Sequence, residues 1–328
     1  MSNATDTTHN VARPLDGITV LDLTRLLPGP VATMHLADMG ANIIKIEDKG
    51  AGDYSRSMMH VRHELSQMFI AVNRGKHIMH LDLKQPEDRQ TFLSMGDNAD
   101  VVIESFRPGV MQRLGLGWDV LKARKPSLVM CAISGYGQTG PLSQQAGHDL
   151  NYIGYAGMLA QTADETGRPL ISNLQIGDLL GGALSAVQGI LAALLAVKMG
   201  KPGRFVDVSM TDAVFAHHLM PLFAVNHVGH AAPPARDFLT GGLPCYNIYR
   251  CSDDRYMAVG ALELKFWQGL CEVIQRPDLK TQHWAHGQVV GSDEAMAVRD
   301  QLAAIFASRT QAEWHALFKP ADCCVTPV

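Results

Sequence analysis

The chain is poor in charge and in aromatic side chains. Charged residues make up 18% of its 328 residues, and aromatic residues make up 6%. Lysine and arginine total 28 against 32 aspartate and glutamate residues, which gives a formal net charge of −4 without any long basic block. A protein that binds nucleic acid needs clustered positive charge to neutralise phosphates. We therefore predict no nucleic-acid partner.

Cysteine pairs with metal-binding spacing are also lacking. None of the six cysteines forms a CxxC motif, and the adjacent Cys323 and Cys324 are poorly placed to hold one metal ion together. Free thiols in a reducing cytoplasm are the expected state. The HxxH pattern of His227 and His230 has no carboxylate at a recognisable ligand spacing, so we predict no metal site.

Signals of several other protein classes are missing. The chain contains neither a Walker A loop nor a G-x-S-x-G nucleophile elbow. The first 14 residues have no apolar core and no basic start, so we expect a frayed tail and not a signal peptide. These features predict a cytoplasmic protein.

One apolar segment, residues 179–199, is long enough to cross a bilayer. It carries Ser185, Gln188 and Lys198, and Asp178 precedes it. The alternative to a membrane span is a buried core helix, which these polar positions favour. We therefore predict no membrane association.

Short apolar runs alternate with helical stretches through the first two thirds of the chain. Hydrophobic residues make up 47% of the sequence, which is enough for a large core. The pattern predicts strands at 18–23, 42–47, 77–83, 101–104, 128–133 and 204–210, and helices at 31–39, 86–95, 179–199 and 211–224. Such alternation is typical of an α/β fold, a doubly wound parallel sheet with helices on both faces.

The sequence changes character after residue 224. Residues 227–238 are rich in Gly, Pro and Ala, which is typical of a connection between domains. Strands are then predicted at 246–250 and 255–259, with helices at 263–274 and 293–307. We predict a large domain over residues 1–224, and a linker with a smaller α+β domain over residues 225–328.

Two groups of residues could bind a phosphate-containing ligand. Residues 135–140 (GYGQTG) match the G-x-G-x-x-G pattern after a predicted strand. Pro141 and further polar residues follow in place of an apolar helix, so a structural glycine loop is the preferred interpretation. Cationic and amide side chains also occupy predicted loops and helix starts, at Asn73, Arg74, Lys76, Arg107 and Arg113. From their spacing alone, phosphate binding and solvated loops are equally good interpretations.

Two carboxylates stand at predicted helix starts. Asp178 precedes the long apolar helix, and Glu263 lies between a predicted strand and a predicted helix. Each could be a charge that stabilises a helix N-terminus. Each could equally be an acid, base or nucleophile at the edge of an apolar pocket. Composition does not choose between these interpretations.

An ordered series of motifs extends over nearly the whole chain. It consists of residues 15–22 (LDGITVLD), 36–41 (LADMGA), 73–76 (NRGK), 104–109 (ESFRPG), 113–115 (RLG), 134–141 (SGYGQTGP), 258–263 (AVGALE) and 322–328 (DCCVTPV). In this order the motifs resemble those of the family III CoA-transferases, the CaiB/BaiF group, and are closest to its α-methylacyl-CoA racemase branch. The resemblance implies a Rossmann-like large domain that binds coenzyme A, and a small domain that packs over the partner's active site in an interlocked homodimer.

The resemblance implies one of two chemistries. In the racemases, a histidine and an aspartate exchange the α-proton of an acyl-CoA thioester, and these residues fall on His148 and Asp178. The glutamate that orients the histidine falls on Glu263, and Asp149 is expected to hydrogen-bond near Asp178. In the CoA-transferases the aspartate, Asp178, is instead a nucleophile that forms a covalent intermediate. Formyl-CoA-type transferases have tyrosine in place of His148, so we favour the racemase, with a 2-methylacyl-CoA substrate.

The expected coenzyme A ligands are Arg25, Lys45, Asn73, Arg74, Lys76, Arg107 and Arg113. No metal or redox cofactor is expected beyond coenzyme A as part of the substrate. We expect backbone N–H groups at the start of the helix after Asp178 to bind the enolate oxygen, with Gly181 and Gly182 allowing close approach. Family members usually continue beyond the motif that ends at Val328, so we expect either a short member or a truncated chain. A protein that binds coenzyme A without catalysis is a third functional alternative.

Overall fold

The computed structural model describes residues 12–62, 65–164 and 166–328. The described chain forms two compact units. The first contains the chain up to Met158 and Ser172–His218, and the second contains Leu159–Ile171 and Leu219–Val328. Residues 1–11 of the predicted frayed tail lie outside the described residues. The sequence gives no signal for the contribution of Leu159–Ile171 to the second unit.

A six-stranded sheet forms the centre of the first unit. Its strands lie in the order β5-β2-β1-β6-β7-β8, and all five pairings are parallel. In chain order the strands of this unit are β1 (Thr19–Leu23), β2 (Asn42–Glu47), β3 (Val61–Arg62), β4 (Leu65–Ser66), β5 (His77–His80), β6 (Val101–Glu104), β7 (Val129–Ser134) and β8 (Phe205–Ser209). Strands β3 and β4 form a separate antiparallel pair. This strand order is that of a doubly wound Rossmann fold, and it confirms the predicted fold class.

Burial explains the composition of the strands. Every residue of β6 and β7 is buried, as expected for central parallel strands covered on both faces. Every residue of the edge strand β5 is exposed. Strand β5 ends at His80, although the pattern predicted an extension to residue 83. Strand β5 ends there because it pairs with β2 alone among the described residues, and this pairing ends where Glu47 of β2 lies opposite His80.

Helices cover the sheet, as predicted. The helices of the first unit are α1 (Pro28–Asp38), α2 (Gln67–Asn73), α3 (Pro86–Gly96), α4 (Val110–Arg113), α5 (Trp118–Arg124), α6 (Asp149–Tyr155), α8 (Ser185–Lys198) and α9 (Met210–His217). Helix α10 (Leu219–Val228) and all but the first residue of α7 (Met158–Gln161) lie in the second unit. Helix α1 begins earlier than residue 31 because Pro28 is tolerated in a first helical turn.

The long apolar segment is a continuous helix over Gly177–Lys198, and it is the one helix in the described residues that is long and apolar enough to cross a membrane. Its first part, Gly177–Leu184, is π-helical and runs directly into α8. The face of α8 that contains Ala186, Val187 and Ile190 belongs to the same apolar core as strands β1 and β7. The segment therefore packs as the predicted core helix.

The predicted helix over 211–224 is two helices in the structure, α9 and α10. The break lies at His218. Pro221 explains it, because proline has no N–H to bond the carbonyl of His217 and its ring clashes with a carbonyl four residues earlier.

The second unit contains a three-stranded antiparallel sheet in the order β11-β10-β9. Its strands are β9 (Tyr246–Arg250), β10 (Tyr256–Gly260) and β11 (Val325–Pro327), and its further helices are α11 (Leu264–Val273), α12 (Asp293–Phe306) and α13 (Gln311–Phe318). Trp267, Phe306 and Trp314 are among its buried core residues. The sequence did not predict α13 and β11. The predicted domain boundary at residue 224 falls inside α10.

Candidate active site

The segment that follows β7 ends at His148, which is the N-cap residue of α6. The backbone N–H of His148 donates a hydrogen bond to Oδ1 of Asn151 (3.1 Å), and the backbone N–H of Asn151 donates to the His148 carbonyl (2.8 Å). These reciprocal bonds fix the backbone at the helix start. The His148 side chain is exposed. The backbone at His148 is therefore fixed while its imidazole is accessible to a ligand.

Asp149 connects α6 to the start of the long apolar helix. Its Oδ1 accepts a hydrogen bond from the backbone N–H of Asp178 (2.9 Å). A β-carbon at Gly177 would lie 2.9 Å from the same oxygen, so glycine permits this close approach. The bond brings the helix starts that carry His148 and Asp178 together, although the two residues are far apart in sequence. The predicted hydrogen bond of Asp149 near Asp178 is present.

The environment of Asp178 disfavours its negative charge. Burial raises the pKa of the Asp178 carboxyl group to about 7, and repulsion from Asp149 contributes in the same direction. Near neutral pH the group therefore exists in both protonation states. A carboxyl group with this property can both accept and donate a proton.

One detail differs from the sequence prediction, and it concerns the two glycines after Asp178. Gly181 and Gly182 are buried, and β-carbons there would lie 2.6 Å from the Met210 carbonyl oxygen and 2.7 Å from Cβ of Pro28, respectively. Their small size serves helix packing instead of close approach by a thioester.

Tyr152 is a site residue to which the sequence interpretation gave no role. Its phenol donates a hydrogen bond to the Gly147 carbonyl, directly before His148. The ring packs edge-on against Tyr136, with centroids 5.4 Å apart. Burial, and then the negative charge of Asp178, raise the pKa of Tyr152 to about 12, so it remains a donor at neutral pH. The glycines at 135 and 147, which make room for this ring, are the signal in the sequence.

Glu263 lies in the second unit, where it is the exposed N-cap residue of α11 shortly after β10. Its expected interaction with His148 stays a prediction.

Two of the expected coenzyme A ligands follow adjacent strands. Arg25 follows β1 and Arg107 follows β6, where the strand order reverses in this sheet. Open α/β sheets bind ligands at the carboxyl ends of the strands beside such a reversal. Arg107 and Arg113 are exposed, and within the described part of the chain no carboxylate pairs with either. Both guanidinium groups can therefore reach an anionic ligand.

Arg25 pairs with Asp48 (3.1 Å), and the remaining expected ligands also have partners within the protein. The Lys45 side chain is fully buried and pairs with Asp53, and the Lys76 side chain is fully buried and pairs with Asp22. Asn73 accepts a hydrogen bond from Lys76 (2.9 Å). Arg74 is exposed and pairs with Asp38 (2.5 Å). Lys45 and Lys76 thus differ from the expected ligand groups, because neither ammonium group is accessible.

The fold and the site define a class of protein. It is a doubly wound α/β protein in which the carboxylates of Asp149 and Asp178 and the imidazole of His148 belong to two neighbouring helix starts. A family model described as CoA-transferase family III matches residues 15–328. The chain therefore belongs to the family III CoA-transferases, as the motifs predicted.

Relatives of this chain bear two kinds of name. It is similar to an α-methylacyl-CoA racemase of Homo sapiens, 33% identical over 315 residues that cover 96% of this chain and 77% of that protein. It is also similar to a succinyl-CoA:glutarate CoA-transferase of Mus musculus, 32% identical over 316 residues that cover 94% and 70%. A crystal structure of a hypothetical protein from Mycobacterium tuberculosis has a TM-score of 0.81 at 32% identity, covering 96% of this chain and 83% of that one.

Proposed function

We propose that the protein is an acyl-CoA racemase that epimerises a 2-methylacyl-CoA thioester. The observation that carries this proposal is the hydrogen bond from the Asp178 backbone to Asp149, which brings the helix starts carrying His148 and Asp178 together. Racemisation needs one group that removes the α-proton and another that returns a proton to the opposite face. His148 and Asp178 are the proposed pair.

The proposed reaction conserves protons and electrons. For one enantiomer, the Asp178 carboxylate takes the α-proton, and the C–H electron pair moves into the thioester carbonyl to give an enolate. The His148 imidazolium then donates a proton to the other face of the α-carbon as the carbonyl re-forms. The opposite enantiomer uses neutral His148 as the base and protonated Asp178 as the acid. Glu263 is proposed to orient the imidazole and stabilise its charged form.

The electrostatics of Asp178 support proton transfer over nucleophilic attack. A general acid–base group is most effective when its pKa lies near the working pH, as the value of about 7 for Asp178 does. A nucleophile needs only the ionised carboxylate, whereas a two-base racemase needs the ionised form for one enantiomer and the protonated form for the other, and a pKa near neutral pH supplies both. A CoA-transferase is the second candidate, because the succinyl-CoA:glutarate enzyme is similar to this chain to the same degree as the racemase.

Arg25, Arg107 and Arg113 are the proposed ligands for coenzyme A. Guanidinium groups suit phosphates, since each presents several N–H donors in a plane. No further cofactor is proposed.

We also propose a cytoplasmic homodimer. Helix α10 contains no buried residue although it is apolar, and Phe223 on it is 59% exposed. An exposed apolar helix is typical of a surface that binds another protein. We propose that a second copy of this chain packs against α10. Five of the six cysteines are buried, and all six are free thiols, in keeping with a reducing compartment.

The proposal is tested by hydrogen exchange at the α-carbon. The protein is incubated with (2R)-2-methylacyl-CoA in deuterated water without any acceptor acid, and the α-position is followed by NMR. We expect deuterium to enter while stereochemical purity is lost. His148→Ala and Asp178→Asn should each abolish the loss of stereochemical purity, because inversion needs both groups.

Two exposed residues at the amino end of the sheet provide matched controls. His77→Ala removes an imidazole from edge strand β5, and Asp97→Asn removes a carboxylate after α3. Both should leave exchange unchanged. If the wild type shows no exchange but transfers coenzyme A to an added carboxylic acid, the racemase proposal is wrong and the transferase candidate is correct.

A further inference from the structure

A fully buried ion pair lies between the carboxyl end of β2 and the segment after it. The Nζ atom of Lys45 lies 3.0 Å from Oδ2 of Asp53, and neither side chain has any exposed surface. Burying two charges costs several kcal/mol per ion even in real proteins, so such a pair must make further interactions. Those interactions converge on the loop that follows β1.

The pair holds the backbone on both sides of Arg25. The Lys45 ammonium donates a hydrogen bond to the Thr24 carbonyl (2.7 Å), and the backbone N–H of Leu26 donates to Oδ1 of Asp53 (3.1 Å). Leu26 has a φ of +67°, a left-handed conformation that costs energy for a leucine. Strained backbone of this kind persists only where surrounding contacts enforce it, and here Asp53 supplies one such contact.

The same carboxylate organises the surroundings of the Arg25 side chain. Oδ1 of Asp53 accepts a hydrogen bond from the Ser55 N–H (2.9 Å) and so caps the short helix that begins with Tyr54. The Arg25 guanidinium carbon lies 5.3 Å from the centroid of the Tyr54 ring and 5.7 Å from that of Phe106. Arginine stacks favourably against aromatic faces at such distances. Asp48, which pairs with Arg25 (3.1 Å), and the rings of Tyr54 and Phe106 together restrict the directions in which Arg25 can point.

We infer that Lys45 and Asp53 position Arg25 for coenzyme A and do not contact coenzyme A themselves. This inference rests on the proposed function, in which Arg25 is a ligand. Lys45 has no surface through which a ligand could reach it, whereas Arg25 is partly exposed beside the reversal in strand order. Lys45 and Asp53 are thus positioning residues, and their effect on ligand binding must pass through Arg25.

A double-mutant cycle tests this dependence. Lys45→Met/Asp53→Asn removes both charges of the pair, and the second variant is Arg25→Met. The dissociation constant of free coenzyme A is measured by titration calorimetry for each, for their combination and for the wild type. We expect each to weaken binding about tenfold and the combination to weaken it hardly further, because residues that act through one another are not additive.

A partly exposed ion pair at the amino ends of the strands gives the control. Lys125 pairs with Asp100 (3.7 Å) and donates to the Ala99 carbonyl, while Asp100 accepts the Thr19 N–H. Lys125→Met/Asp100→Asn removes equivalent interactions at the amino ends of the strands. It should leave the affinity for coenzyme A unchanged, whatever its effect on the thermal midpoint.

The outcomes separate the inference from the proposed function. Additive losses, in which the combined variant binds about a hundredfold more weakly, would mean that Lys45 or Asp53 contacts the ligand and would overturn the inference alone. Absence of binding by the wild type would overturn the proposed function and the inference with it. If the Lys45→Met/Asp53→Asn protein does not fold, Leu26→Gly takes its place in the cycle. Glycine has more conformational freedom than leucine, so the loop held by Asp53 loosens while the ion pair remains.

Discussion

Asp149→Asn should shift the pH dependence of racemisation to lower pH for both enantiomers. Asparagine keeps an oxygen that can accept the Asp178 N–H, so the helix starts should stay together, but it removes the negative charge beside Asp178. Burial is the larger cause of the raised pKa of Asp178, and the charge of Asp149 is the second. The substitution removes only the second cause.

The size of the shift follows from Coulomb's law. Two like charges about 6 Å apart repel by about 3 kcal/mol at an effective dielectric constant of about 20, which corresponds to about two pKa units. Both carboxylates are partly exposed, so solvent and salt reduce this repulsion. We expect the pKa of Asp178 to fall by about one unit, because screening removes a large part of the unscreened repulsion.

The assay follows initial rates from each enantiomer between pH 5 and pH 9. Where Asp178 is the base, its ionisation sets the acidic limb of the profile, and that limb should move to lower pH. Where Asp178 is the acid, its ionisation sets the alkaline limb, and that limb should also move to lower pH. Limbs that stay in place, or that move in opposite directions for the two enantiomers, would refute the assignment of Asp178 as the titrating group.

Three further outcomes are expected. Asp178→Asn should stabilise the protein by about 1–2 kcal/mol at pH 8 and by less at pH 5. The pKa of Asp178 is raised in the folded state, so the wild type loses folding free energy as the pH rises from about 4 to above 7. Chemical denaturation at both pH values measures the difference. Gly135→Ala should destabilise by roughly 1–3 kcal/mol in urea unfolding, because the added methyl group overlaps the Tyr152 ring. Arg107→Gln and Arg113→Gln should each raise KM for acyl-CoA about tenfold at unchanged kcat, which steady-state kinetics would show.

The parallel sheet could be predicted from sequence because its strands and helices alternate with clear periods. The apolar runs of β6 and β7 identify central strands, and Pro86 marks the start of α3 within one residue. The break between α9 and α10 was missed because an apolar pattern continues through it, while the proline that causes it lies three residues beyond His218. The return of Leu159–Ile171 to the second unit depends on contacts that are distant in sequence.

The site was predictable to the extent that its residues lie in motifs. His148, Asp149 and Asp178 were identified by resemblance, but the bond between Asp149 and the Asp178 backbone needed the structure. The burial of Lys45 could have been anticipated. Alternate residues of a strand share a face, so Lys45 lies on the same face as the fully buried Ile43 in a sheet that is covered on both sides. The cationic side chain of Lys45 suggests a ligand for phosphate, whereas its position in the strand predicts burial.

Topology explains why ligand binding and proton transfer can share one edge of the first unit. Arg25 and Arg107 follow the carboxyl ends of β1 and β6. Asp178 lies at the start of the helix that leads into β8. Because a crossover helix runs antiparallel to the strands that it connects, the start of this helix lies at the carboxyl ends of the strands. His148 is tied to that helix start through Asp149. In the proposed function, a thioester bound by the arginines would lie on the side of the sheet that carries His148 and Asp178. The same arrangement serves either candidate chemistry: in the proposed racemase Asp178 exchanges a proton with the substrate, and in a transferase it would attack as a carboxylate.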